Sequence, residues 1–243
     1  MSGHSKWANI KYKKELEDKK RAKIFSKFAR LISVTAREKG GNPETNSKLR
    51  AAIEKAKSFN MPQENIEKAI KRGTGEIEGA RLEPLLLEAL GPGGIAILLD
   101  VVTDNKNRTL TEIRHLLDKF GGKLASGGVL WMFKRKGVII INCRSQEGDI
   151  DIEELELFLI DAGAEDIKLK DGVLEVYTKP EKLEEIKKIL EKKGIKLESA
   201  SLDFIPKEEI EIKKQELKEK IENLFGALDE HEDVQEIYSN IKK

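Results

Sequence analysis

Only one cysteine, Cys143, occurs in the 243 residues, so neither an internal disulfide nor a cysteine-based zinc cluster can form. Histidine is almost as rare, and none of His4, His115 and His231 has a second histidine at a metal-ligand spacing. Aromatic residues make up 5% of the chain, with 8 Phe, 3 Tyr and 2 Trp. Long apolar runs are missing too. The longest aliphatic stretches, residues 95–99 and 138–141, fall far short of the roughly 18 residues a membrane-spanning helix requires. The opening Met1-Ser2-Gly3-His4-Ser5-Lys6 has no apolar segment of the secretory type. The expectation is a soluble cytoplasmic protein with no membrane partner.

Catalytic chemistry is equally hard to find. Gly91-Pro92-Gly93-Gly94 lacks the following Lys and Ser/Thr of a phosphate-binding P-loop and reads as a tight turn. His115 lies in a helical pattern and reads as a surface residue, and Cys143 follows an aliphatic strand as a small core or edge residue. The cluster Asp229-Glu230-His231-Glu232-Asp233 reads as a charged turn rather than a cation site. No nucleophile, base and orienting group come together. The chain is therefore expected to be no enzyme, with no catalytic residues, metal or cofactor.

What the sequence does have is charge, at 37% of residues, and the charge is segregated. Residues 1–75 carry 19 Lys and Arg against 8 Asp and Glu, a balance of +11, whereas residues 76–243 balance at −10. Abundant Lys and Glu suit a heat-adapted surface, but that accounts for the number of charges and not for their separation. A basic first third is the electrostatic footprint of a region that meets a polyanion.

Periodicity divides the chain. Residues 18–37 place Ile24, Phe25, Phe28, Leu31, Ile32 and Thr35 on one helical stripe. A second helix is expected over residues 47–59 and a third after Pro62, burying Ile66, Ala69 and Ile70 with Gly73 as its cap. The glycine-rich stretch 73–79 reads as a linker. Strands follow at 82–90 and 95–103, a helix at 109–120 and a strand at 129–133. Residues 138–204 then give the order βαββαβ of ferredoxin-like domains. A helix at 207–228 and a strand at 234–241 close the chain. The expected fold class is α+β and multidomain, an N-terminal three-helix domain followed by two small α/β domains, one ferredoxin-like. The expected boundaries are 1–78, a discontinuous 79–134 plus 206–243, and 135–205.

On the first helix, Lys20, Lys23, Lys27 and Arg30 recur at steps of 3, 4 and 3 beside the apolar stripe, and Lys6, Lys11, Lys13 and Lys14 populate the segment before it. Such rows suit either a phosphate backbone or a solvated face. Trp7 and Tyr12 are interleaved with the leading lysines and suit either stacking on unpaired bases or plugging the helical bundle. Asn105, Lys106, Asn107 and Arg108 join a strand to a helix N-terminus, where an anion or RNA contact competes with ordinary N-capping.

Several of these blocks resemble one family. Gly3-His4-Ser5-Lys6-Trp7-Ala8-Asn9-Ile10-Lys11, Lys23-Ile24-Phe25-Ser26-Lys27, Asn60-Met61-Pro62, Ile70-Lys71-Arg72-Gly73-Thr74-Gly75, Gly91-Pro92-Gly93-Gly94, the run from Thr103 to Thr109, Trp131-Met132-Phe133 and Asp233-Val234-Gln235-Glu236-Ile237-Tyr238 are similar to the YebC family, in its order and over nearly the whole chain. That family contains bacterial proteins labelled probable transcriptional regulators and the mitochondrial translational activator of cytochrome oxidase. The chain departs from the family's habit in having Leu87-Glu88-Ala89-Leu90, without aromatics, before the glycine turn, and Tyr12 where many members have histidine. The resemblance implies three α/β domains, no catalysis and a nucleic-acid partner. The leading expectation is a DNA-binding transcriptional regulator, acting as a monomer through its basic N-terminal domain. Its alternatives are a ribosome-associated translation factor that binds ribosomal or transfer RNA, and a scaffold for protein partners, with the acidic domains open to a protein partner in either case.

Overall fold

The structure, a computed structural model, describes residues 18–146 and 151–242, with side chains from residue 21 onward. Seven helices and two four-stranded sheets occur among the described residues, a mixed α/β, multidomain architecture. The elements run α1 (Asp18–Lys39), α2 (Ser47–Ser58), α3 (Gln63–Thr74), β1 (Glu83–Leu90), β2 (Ala96–Thr103), α4 (Lys106–Lys119), β3 (Lys123–Leu124) and β4 (Phe133–Asn142). They continue with α5 (Ile152–Asp161), β5 (Ala164–Lys170), β6 (Val173–Thr178), α6 (Leu183–Lys192), β7 (Ser199–Pro206), α7 (Gln215–Asp229) and β8 (Val234–Ser239). Contacts divide the chain into two compact units. The described residues up to Phe133 and from Pro206 onward form one; Lys134–Ile205 form the other. The basic helices thus share a unit with the first sheet.

In the first unit, Phe28, Ile32 and Ala36 recur every four residues on α1 and meet Leu49, Ala52, Ile53 and Ala56 of α2 and Ile66 and Ala69 of α3. Polar groups fix the seams. Asn46, fully buried, caps α2 by accepting from Leu49 N at 3.1 Å while its amide donates to Thr35 O and Gly40 O. Ser33 Oγ donates to Ala69 O at 2.8 Å across α1 and α3. Gly73 belongs to that seam rather than to the helix end. A Cβ at position 73 would lie 2.3 Å from Ser33 O, so only glycine allows the approach. The cap is Gly75, at φ +83°.

The first sheet has the order β3-β1-β2-β8, antiparallel throughout. Ile97, Leu99 and Val101 of β2 pack with Ile113 and Leu117 of α4 and with Ile221, Leu224, Phe225 and Leu228 of α7. Two expected elements differ. The helix expected from residue 207 starts only at Gln215, because Ile210 pairs with the closing segment. Ile210 N donates to Asn240 O at 2.7 Å, Lys242 N donates to Ile210 O at 2.8 Å, and Ile212 enters the core. Ile210 and Ile212 alternate at a strand's period, which the charged residues around them hide. Residues 130–132, expected within a strand, form a 3₁₀ turn instead. Its cause is the carboxylate of Glu88, which accepts from Val129 N and Leu130 N at 2.5 and 2.8 Å.

In the second unit the order is β5-β6-β4-β7. Asp171 and Gly172, at φ +52° and +78°, turn β5 into β6 as a two-residue hairpin. Leu155 and Leu159 of α5 and Leu183, Ile186 and Leu190 of α6 bury the sheet face carrying Ile139, Ile141, Leu174 and Val176. Cys143 packs at the edge of this core, and burial raises its thiol pKa.

The α1–α3 seam gives the first test. Gly73→Ala should lower stability by about 1–3 kcal/mol through overpacking, although alanine gains about 1 kcal/mol as a helix former. Denaturant unfolding would check this, and a midpoint equal to or above that of the parent chain would show that the seam yields freely.

Candidate nucleic-acid interface

Lys6, Trp7, Lys11, Lys13 and Lys14 lie outside the described residues, and Lys20 is placed only as part of the α1 backbone. Lys23 is half-buried on α1, and for Lys27 and Arg30 the structure gives a different role. Lys27, on the α1 face beside the apolar stripe, donates to Asp229 O at 2.5 Å and approaches Asp229 Oδ1 at 3.5 Å. Burial pulls its ammonium below the ordinary lysine value, with the charge of Asp229 opposing and that of Lys23 adding to the shift. Arg30 forks between Asp233 Oδ1 and Glu232 Oε2, the latter at 3.2 Å. On α2, Lys55 pairs with Glu236. Lys27 and Arg30 are therefore bound within the chain, where they join α1 to the turn between α7 and β8, and are not a solvent-facing row.

Asp233 is the centre of this contact. Its side chain is 2% exposed, and both oxygens are used. Besides Arg30, it accepts from Arg108 Nη2 at 2.9 Å and from Thr109 Oγ1 at 2.6 Å. Burial works against its charge. The hydrogen bonds from Thr109 and Arg108 and the positive charges of Arg30 and Arg108 outweigh burial, and the carboxyl is held below its ordinary value. The strand-to-helix run 103–109 is accordingly structural over most of its length. Asn105 caps α4 by accepting from Arg108 N at 3.1 Å, and Arg108 reaches Asp104 as well as Asp233. Only Lys106 and Asn107 of the expected contact loop point into solvent without a charged partner among the described residues.

Glu112, His231 and Asp233 bring ligand-type atoms within 4.8 Å of one another. Their lone pairs are engaged. Asp233 N donates to His231 Nδ1 at 3.2 Å, which leaves Nε2 to donate to Glu112 Oε2 at 3.0 Å. Two guanidinium groups already face Asp233, an environment that repels a cation.

Once these ties are counted, a second set of cations stands out. Arg37 and Lys39 close α1, Lys71 and Arg72 lie in the last turn of α3, and Lys68 lies one turn before them. All five are exposed and make no ion pair with a described residue. Gly73 abuts Ser33 and Ala36, and Gly41 abuts Ile70 and Thr74, so the C-terminal ends of α1 and α3 meet. The cations collect at that end. The sequence row led to α1's middle because helical spacing identifies a face but not what covers it; neither Asp233 nor Lys55 carries a local signal of its partner.

Residues 5–76 match the TACO1/YebC protein N-terminal domain, and residues 82–241 match the TACO1/YebC second and third domain. The chain belongs to the TACO1/YebC family. It is 52% identical over 241 residues, 99% of this chain and 94% of the relative, to a probable transcriptional regulatory protein of Halothermothrix orenii. It is 51% identical over 243 residues, covering all of this chain and 94% of the relative, to a protein of the same name in Thermotoga maritima. A crystal structure of a conserved hypothetical protein, Aq1575, from Aquifex aeolicus is similar at a TM-score of 0.83 and 44% identity, over 93% of this chain and 91% of that one.

The contact at Asp233 is testable by stability. Asp233→Asn should cost roughly 1.5–3 kcal/mol, the worth of hydrogen bonds to a charged group. Because the folded pKa is depressed, the native contribution is complete above the unfolded value of about 3.9 and is lost as pH falls through the lower folded value. Unfolding followed from pH 7 to pH 2 should therefore show a shallower acid loss in the variant. Parallel curves would mean that Asp233 gains nothing from its arginines.

Proposed function

We propose that this chain is a cytoplasmic, non-catalytic regulator of gene expression that binds nucleic acid through its N-terminal helices. The observation that carries this reading is the group of five exposed cations, Arg37, Lys39, Lys68, Lys71 and Arg72, at one end of the bundle. Cations in a last helical turn also complement the helix dipole, worth about 0.3–1 kcal/mol each. Two helices ending together with four such charges, and Lys68 one turn earlier, exceed what that local effect asks for. The lysine-rich segment before α1 adds to the same charge by sequence.

The names of the bacterial relatives favour DNA and transcription. One observation favours RNA and translation instead. In α2 and α3, joined by a four-residue turn, a duplex reader would present the N-terminal half of α3 to base edges. That half carries Glu64 and Glu67 against Lys68 alone, all three exposed, a net negative charge that repels phosphates. The cationic half positions a backbone without reading sequence. The second unit we read as ferredoxin-like, supported by its βαββαβ succession and the order β5-β6-β4-β7.

Replacing Arg37, Lys71 and Arg72 together by Gln should weaken binding to a duplex and reduce the log–log salt slope by up to about 0.9 per contact removed. An unchanged slope would make this end of the bundle a merely solvated surface. Crosslinking in cells followed by sequencing would separate the two targets, through promoter reads or ribosomal RNA reads.

A further inference from the structure

Trp131 is the most conspicuous group that the basic helices do not explain. Its side chain is 66% exposed, whereas tryptophan is mostly buried in folded chains. The exposure is not that of a loose loop. Val129 and Phe133, on either side, are buried. The Glu88 carboxylate holds Val129 N and Leu130 N, and Met132 N donates to Val129 O at 3.0 Å. The returning chain adds a further tie, Lys207 N donating to Met132 O at 2.9 Å. That tie also places Lys207 Nζ 5.7 Å from the centre of the Trp131 ring. Glu88 in turn lines an open cleft whose charged walls are balanced, Arg114 and Lys123 against Glu88 itself and Asp118. A rigid, exposed indole with an ammonium 5.7 Å from its ring centre has the chemistry of a base-stacking site. The ring supplies a flat apolar surface, and the lysine supplies the counter-charge for a phosphate.

We propose that Trp131 and Lys207 form a stacking platform for an unpaired nucleobase of single-stranded RNA or DNA. This rests on the nucleic-acid reading above and adds to it a second contact, away from the cations of α1 and α3 in sequence. The platform accepts any base, because each presents a π-face, and it rejects a closed duplex, whose bases are already stacked. A protein partner would use the same exposed ring as an apolar anchor; the Lys207 ammonium at the ring favours a polyanion.

The test uses the full chain. With only two tryptophans present, Trp7→Phe leaves Trp131 as the sole indole reporter. Titration with a twelve-residue oligouridine should quench its fluorescence, and an equal length of duplex should not. Trp131→Ala should raise the dissociation constant for oligouridine about 5- to 100-fold, the worth of one base stacked on an aromatic ring. Its salt slope should stay unchanged, whereas Lys207→Gln should lower the slope by about 0.7. Trp131→Phe should retain most of the affinity, and an unchanged denaturation midpoint for Trp131→Ala would establish that the fold is intact. Equal binding by the parent and Trp131→Ala, or an equal loss on the duplex, overturns the platform and leaves the nucleic-acid reading standing. No binding of any oligonucleotide by the parent chain at low salt overturns both.

Discussion

One ionised carboxylate, that of Asp233, holds three separate parts of the first unit in register. Alone, a carboxylate removed from water would become protonated or drag solvent in with it. Here Arg30 arrives from α1, Arg108 and Thr109 from the first turn of α4, and the carboxylate itself from the start of β8. Each group satisfies a charge or lone pair that would be costly unpaired, so the contact is close to all-or-none. Val102 N donating to Asp233 O at 2.8 Å adds the end of β2 to the same point. The basic helices, the sheet and α4 are thereby fixed relative to one another by a residue that looks, in sequence, like one acid among several.

This constraint changes the meaning of the charge segregation. The excess of +11 over residues 1–75 and the −10 beyond them are partly answers to each other. Lys27, Arg30 and Lys55 are met by Asp229, Glu232, Asp233 and Glu236. Acids of the closing segment, open at first sight to a protein partner, have this chain's own α1 and α2 as partners. Arg37, Lys39, Lys68, Lys71 and Arg72 have no ion-pair counterpart among the described residues, and they gather toward the place where α1 and α3 end. A polyanion therefore meets a smaller, more localised positive surface than composition implies.

Local patterns made much of this fold legible. Ile24, Phe28, Ile32 and their neighbours announced α1, and Pro62 the start of α3, because each is set by spacing or by backbone chemistry within a few residues. What failed depended on distant partners. Ile210 and Ile212 lie in a stretch rich in Lys and Glu that reads as helix, and only the closing segment makes them extended. Glu88 turns residues 130–132 away from a strand by taking two N–H groups 41 and 42 residues along the chain. Gly73 looks like a cap until α1 is packed beside it. The same limit governs the site. Lysines at steps of 3 and 4 define a helix face, but burial against an acidic turn 202 residues away is invisible in the spacing.

The two kinds of contact open to this chain discriminate targets in a particular way. Phosphate contacts by lysine and arginine supply affinity that falls with salt and carries no sequence information. Stacking on an indole is worth about 1–3 kcal/mol per base and is nearly indifferent to base identity. A protein that combined them would gain little discrimination between sequences. It would gain about 5- to 100-fold for unpaired over paired strands, since only an unpaired base reaches the ring. The acidic half of α3 points the same way, because it disfavours insertion into a major groove while leaving backbone contact at the helix end intact. Selection by strand structure is the usual mode for folded RNA, with its loops and splayed bases, and is poorly suited to finding a promoter in duplex DNA. Under the proposed function, these two contacts together suit a folded RNA better than a duplex promoter.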